Sequence, residues 1–106
     1  MSSTLQSVTD RDFDKVVGGT TVSVLVGFWK PGCGHCHVLL RELEDLQCEA
    51  GASLLILTMN VEENYQIPAE LEVSSLPALA LYQHGAFVKF IGGLGTKEEL
   101  LKQVRS

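Results

Sequence analysis

The sequence predicts an α/β fold: a central mixed sheet of four or five strands flanked by helices. Three observations predict it. Residues 21–29 (TVSVLVGFW) and 53–60 (SLLILTMN) are short runs with apolar residues at both parities. Such runs fit strands buried on both faces, inside a sheet that carries helices on either side. A segment with helical periodicity follows each of them, which is the alternation expected of parallel strands. Late in the chain His84-Gly85 is a turn signal between two further strand-like runs, and a tight hairpin makes those two antiparallel.

The elements follow in order. A short strand near Leu5–Val8 can precede the first helix. Thr9 and Asp12 have the spacing of a capping box, with Asp in place of Glu, and Phe13, Val16 and Val17 fall on one helical face. Gly18-Gly19 ends that helix. After the strand at 21–29, Pro31, Gly32 and Gly34 break the pattern, and a helix is expected from about Gly34 to Glu49. Its inner stripe is Leu39, Leu43 and Leu46, broadened by Leu40, and Gly51 is a suitable stop. The strand at 53–60 leads into a weaker helical segment, Tyr65–Glu72, with Pro68 near its start. Ser74–Pro77 is a turn, Ala78–Gln83 and Phe87–Ile91 are the hairpin strands, and Thr96 with Glu99 opens a last helix that turns Leu100, Leu101 and Val104 inward.

Composition narrows the function. A chain of 106 residues fits one domain, taken here as 1–106. Three cysteines, an odd number, are too few for a disulfide scaffold. The most apolar stretches, 22–28 and 54–57, are far shorter than the ~20 residues that span a bilayer. The first residues carry neither a basic nor an apolar leader segment, so a cytoplasmic location without membrane attachment is expected. A net charge of −5 disfavours a nucleic-acid partner.

Chemistry concentrates in Trp29-Lys30-Pro31-Gly32-Cys33-Gly34-His35-Cys36-His37, between a buried strand and a helix. Two cysteines three positions apart at a helix start can form a dithiol redox centre. The free N–H groups and macrodipole there favour a thiolate on Cys33. The thiolate is the attacking species, and protonated His35 would stabilise it. Cys36, one turn further in, would resolve the mixed disulfide. Three other readings compete. The run also spells the C-x-x-C-H of haem attachment, which wants export and a helical pocket. A structural zinc site wants four ligands, but Cys48 and His84 are isolated from this pair in sequence. Two merely packed cysteines would not usually be flanked by Pro31-Gly32 and separated by Gly34-His35.

These residues carry a family resemblance. VLVGFWKPGCGHC over 24–36 resembles the active-site strand and loop of thioredoxins, and its Cys-Gly-His-Cys centre is similar to that of protein disulfide isomerase catalytic domains. VSSLPALALYQHGAFVKFIGG over 73–93 looks like the family's cis-proline, hairpin and groove glycine. The element order agrees along essentially the whole chain, so the resemblance implies a thioredoxin-like fold. It also implies a protein-disulfide reductase, a thiol–disulfide oxidoreductase acting through Cys33 as nucleophile and Cys36 as resolving thiol. Gly34 and His35 would tune the thiolate. Trp29, Gly32, Leu76, Pro77 and Gly92 (or Gly93) would shape the substrate groove, with Pro77 in cis facing the sulfurs. Expected partners are proteins with disulfides and a reductase or small-thiol electron donor. No metal or organic cofactor is expected, and the chain is expected to be a monomer.

Departures from the family pattern are equally specific. The usual buried Asp is Gly27, the lysine near it is Thr58, the aromatic before the first cysteine is Gly32, and the helix-kinking proline is Arg41. They motivate an alternative, a thioredoxin-fold binding or assembly module with a structural or slowly exchanging disulfide. Among single residues, Cys48, Tyr65 and Tyr82 read as packing residues, His37 as solvated, and His84 as the hairpin tip.

Overall fold

The computed structural model describes residues 5–92 and 96–105. The run at 21–29 forms a strand over Ser23–Trp29 (β2), with Val24 to Phe28 all buried. Its apolar residues divide by parity. Val24, Val26 and Phe28 belong to one core, and Leu25 belongs to another on the opposite face. This is why both parities had to be apolar.

Five strands make one sheet in the order β1-β3-β2-β4-β5. Strand β1 (Gln6–Ser7) and strand β3 (Leu54–Asn60) run parallel with β2, while β4 (Ala78–Gln83) is antiparallel to β2 and β5 (Ala86–Phe90) is antiparallel to β4. The sheet is therefore mixed, with the upper strand number of the expectation. His84 and Gly85 both take positive φ, 55° and 80°, which is the two-residue turn whose twist matches a hairpin.

Helix α2 (Gly34–Ala50) and helix α4 (Lys97–Arg105) cover one face. Leu39, Leu43, Leu46 and Leu100 pack there against Leu25, Ile56, Leu79 and Leu81. Helix α1 (Phe13–Gly18) and helix α3 (Gln66–Glu70) cover the other, where Phe13, Val17 and Ile67 meet Val26, Phe28, Met59 and Tyr82.

Two helix starts differ from the sequence pattern. At α1 only half of the capping box forms: the Thr9 N–H donates to Asp12 Oδ1 at 2.7 Å, and the Thr9 hydroxyl donates to the same oxygen at 3.1 Å. At α3 the cap comes from far away. Asp10 accepts the N–H groups of Gln66 and Ile67 at 3.0 and 2.9 Å, while its own N–H donates to Asn64 Oδ1 at 2.9 Å. Thr96 Oγ1 accepts the Glu99 N–H at 3.4 Å, as the second capping box predicts.

Strand β3 also bonds to a side chain. Among the described residues, β1 pairs with it at Leu57 and Thr58. Beyond it, Gln47 of α2 donates to the Leu54 carbonyl at 2.6 Å and accepts the Ile56 N–H at 2.8 Å. It bonds directly to the β3 backbone, and its amide also donates to the Gly51 carbonyl at 3.1 Å.

Candidate active site

Three chain segments meet at one end of the sheet. Strand β2 ends at Trp29, and β3 ends beside it, because Trp29 pairs with Asn60 and the Val61 N–H donates to the Trp29 carbonyl at 2.9 Å. Strand β4 runs the opposite way, so its start lies at the same end: Phe28 pairs with Ala78, and Pro77 immediately precedes it. The Leu76–Pro77 bond is cis, as the resemblance implied. The Ile91 N–H donates to the Leu79 carbonyl at 2.8 Å, which brings Gly92 to this end as well.

Between β2 and α2 the chain turns tightly. Gly32 takes φ +83°, a conformation that favours glycine, and the Cys33 N–H donates to the Lys30 carbonyl at 3.4 Å. The turn leaves Cys33 as the N-cap of α2 in extended conformation, with its Sγ accepting the Cys36 N–H at 3.2 Å. A sulfur here takes the place that a Ser or Asp oxygen usually takes at an N-cap. The two cysteines form a disulfide, with Cα atoms 5.2 Å apart. They are not equivalent: Cys33 is partly exposed, whereas Cys36 is fully buried beneath it at 0% exposure. No carboxylate occupies the first turn of α2 to oppose a negative charge at its start.

One cavity adjoins the disulfide, and a second lies beside Pro77. One, of about 470 Å³, lies against Cys33, Gly34 and His35, with Val61, Ser75 and Leu76 across from them. The other, of about 320 Å³, lies on the far side of Pro77 and reaches Glu72, Phe90 and Gly92. A Cβ at Gly92 would meet nothing within 4 Å, so the glycine leaves open space beside Pro77.

Most residues singled out from sequence therefore gather here. Cys33, Gly34, His35 and Leu76 line the first cavity, and Pro77 and Gly92 line the second. Trp29, half-buried at the end of β2, and Gly32, exposed in the turn, are not among the residues lining these two cavities. The alternative glycine, Gly93, lies outside the described residues. The sequence reading missed Lys30, Val61, Pro68, Val73, Ser74 and Ser75 as lining residues. Their signal was position, since each lies just beyond a strand end or in the segment leading to Pro77, except Pro68, which α3 turns inward.

Two expectations are corrected. Cys48 is exposed and does not pack. It is two positions past Leu46, some 200° around the helix from the inner stripe. Tyr65 is 79% exposed, because α3 turns Ile67 and Pro68 inward instead. Tyr82 does pack, edge-on to Phe13 with ring centroids 5.3 Å apart, and burial together with Asp14 and Glu70 raises its phenol to about 12. His37 and His84 are exposed, as expected.

Strand β2 also shows how the site accommodates its missing acid. Gly27 is paired with Thr58, the two positions where the resemblance leads one to expect a buried Asp and its lysine. A Cβ on Gly27 would lie 3.0 Å from Leu43 Cδ1 and 4.0 Å from Leu79 Cδ1. Leucines of α2 and β4 have closed over the position. Thr58, also buried, has its hydroxyl 3.5 Å from Ser7 Oγ.

Among the described residues no group of three or more His, Cys, Asp or Glu is placed to hold a metal ion, and no helix is long and apolar enough to cross a membrane. A buried thiol partner beneath a partly exposed capping sulfur, with Leu76 of the cis peptide bond lining the same cleft, is an arrangement for thiol–disulfide exchange.

Comparison with known proteins agrees. The thioredoxin family model matches residues 4–106. The thioredoxin of Haemophilus influenzae is 35% identical over 93 residues, covering 88% of this chain and 87% of that protein. The thioredoxin of Rickettsia felis is 35% identical over 95 residues, 90% of each chain. That of Streptomyces clavuligerus is 36% identical over 102 residues, 96% of this chain and 94% of its own. This chain belongs to the thioredoxin family, with the thioredoxin fold and the activity of a thiol–disulfide oxidoreductase.

Proposed function

We propose that the chain acts as one unit over 1–106, reducing disulfides of proteins through Cys33 and Cys36. The Cys33 thiolate attacks one sulfur of a substrate disulfide. That S–S bond breaks, a mixed disulfide forms, and one substrate thiolate leaves. The Cys36 thiolate then attacks Cys33 Sγ and releases the second substrate thiolate, leaving Cys33–Cys36 oxidised. Two electrons pass from the dithiol to the substrate, and the two thiol protons end on the substrate sulfurs.

The observation that supports this most is the unequal placement of the pair. Cys33 Sγ accepts the Cys36 N–H at 3.2 Å at the open start of α2, while Cys36 is fully buried. A hydrogen bond to the charged form favours a thiolate on Cys33, so attack begins there. Leu76, beside the cis bond, offers its backbone to an extended substrate, and Gly32, Pro77 and Gly92 keep the approach open. Gly34 and His35 adjust the charge at the sulfur. The protein works as a monomer in the cytoplasm, recycled by a reductase or a small thiol.

Reduction of insulin by dithiothreitol tests this. The protein should accelerate precipitation of the insulin B chain, and Cys33→Ser should abolish the acceleration. Cys36→Ser should instead accumulate a mixed disulfide through Cys33, visible by mass spectrometry. Equal turbidity rates for the parent and Cys33→Ser would end the reading.

A further inference from the structure

The cavity beside Cys33 has a charge opposite to that of the protein. The chain carries 13 acidic against 8 basic side chains and a net charge of −5. Yet among the described residues the ionisable side chains lining that cavity, besides Cys33, are Lys30 and His35, and no Asp or Glu lines it. The nearest carboxylates by position are Glu62 and Glu63, exposed in the turn after β3, and Glu72, which lines the cavity beyond Pro77. The Cys33 N–H bond to the Lys30 carbonyl anchors the lysine backbone one tight turn from the sulfur. Its side chain is exposed and lines the same cavity as Cys33.

We propose that Lys30 makes this oxidoreductase selective for disulfides that carry a carboxylate near the sulfur under attack. The preferred substrate is an anionic small disulfide or a protein cystine flanked by Asp or Glu. The proposal deepens the reading of Cys33 as the attacking sulfur and rests on it. The net charge makes the contrary demand. The field of the whole protein would draw cationic disulfides, so the sign of the preference separates the local rim from the global charge.

The test uses the reduced protein and three small disulfides: cystamine, hydroxyethyl disulfide and dithiodipropionate, which are cationic, neutral and anionic. Each rate constant is divided by that of dithiothreitol with the same disulfide. The anionic disulfide should exceed the cationic one several-fold, and the excess should shrink as salt rises through about 0.3 M. Lys30→Glu should lower the anionic-to-cationic ratio about fivefold to tenfold, as expected for reversing a charge at ~7 Å in water screened by about 0.1 M salt. Lys30→Met should lie between. Lys15→Glu makes the same change of net charge on α1, whose end touches the hairpin tip at the opposite end of β4, and should leave the ratio unchanged. A parent preference for cystamine, or equal shifts from Lys30→Glu and Lys15→Glu, would overturn the proposal. Failure of all three disulfides to oxidise the protein would instead refute the oxidoreductase reading beneath it.

Discussion

Replacing Gly27 by aspartate should destabilise this protein by about 5–7 kcal/mol at neutral pH and by far less in acid. The position is buried, and a Cβ there lies 3.0 Å from Leu43 Cδ1. Fitting the side chain requires that leucine tip to move, at a cost of about 1–3 kcal/mol. The charge costs more. The paired position offers Thr58 and no cation, and a fully buried, unpaired carboxyl has its pKa raised by about 3–5 units. Starting from about 3.9 in the unfolded chain, the folded-state value reaches ~7, and each unit is worth about 1.4 kcal/mol, giving ~4 kcal/mol at pH 7. The sign follows from proton binding. Between about pH 3.9 and ~7 the folded state holds the proton and the unfolded state does not, so stability falls as pH rises through that window and is flat above it. Urea denaturation of parent, Gly27→Asp and Gly27→Asn at several pH values isolates the effect. Gly27→Asn has the same shape and no charge, so its difference from the parent should not depend on pH. Thr58→Lys added to Gly27→Asp should recover part of the loss, since the two positions are register partners. If Gly27→Asp tracks Gly27→Asn at every pH, a carboxylate there is solvated, and the account of leucines closing over the position is wrong.

Three further outcomes are expected. Gln47→Leu deprives the Leu54 carbonyl and the Ile56 N–H of their partners, which at about 1–1.5 kcal/mol each should lower the melting temperature by on the order of 10 °C; a change of less than about 2 °C would show that water replaces the side chain without cost. Asp10→Ala removes the cap of α3 and should cost about 1–2 kcal/mol in urea denaturation, with faster amide exchange at Gln66 and Ile67; unchanged exchange there would refute the cap. Spectroscopic alkaline titration should find Tyr82 ionising at about 12 instead of 10.0, with stability declining from pH ~10 upward because the unfolded chain loses that proton first; a Tyr82 midpoint near 10 would contradict its burial.

The legible parts of the sequence were those whose signal is local. Cys33 and Cys36 are one helical turn apart, so their proximity follows from the helix itself. The double-parity apolar runs of β2 and β3 signalled two covered faces without any knowledge of what covers them. His84-Gly85 specified a hairpin because its turn needs two residues at positive φ. Cys48 was misread although the signal was present, since it lies off the stripe of Leu39, Leu43 and Leu46. Tyr65 was misread because its exposure depends on where the short α3 begins.

What the tertiary structure alone decided is whatever depends on segments meeting across long sequence separations. Asp10 caps a helix that begins 56 residues later. Gln47 reaches the edge of β3 at Leu54 and Ile56 only because α2 packs beside that strand. The cleft beside Cys33 exists because β2 and β3 end where β4, running the other way, begins. That geometry sets Val61 and Leu76 opposite the sulfur and Lys30 on the rim. The sequence by itself determined the chemistry, because a dithiol is specified by spacing along one helix turn. The surface that a substrate meets was decided by the fold, because it is assembled from strand ends that only sheet topology brings together.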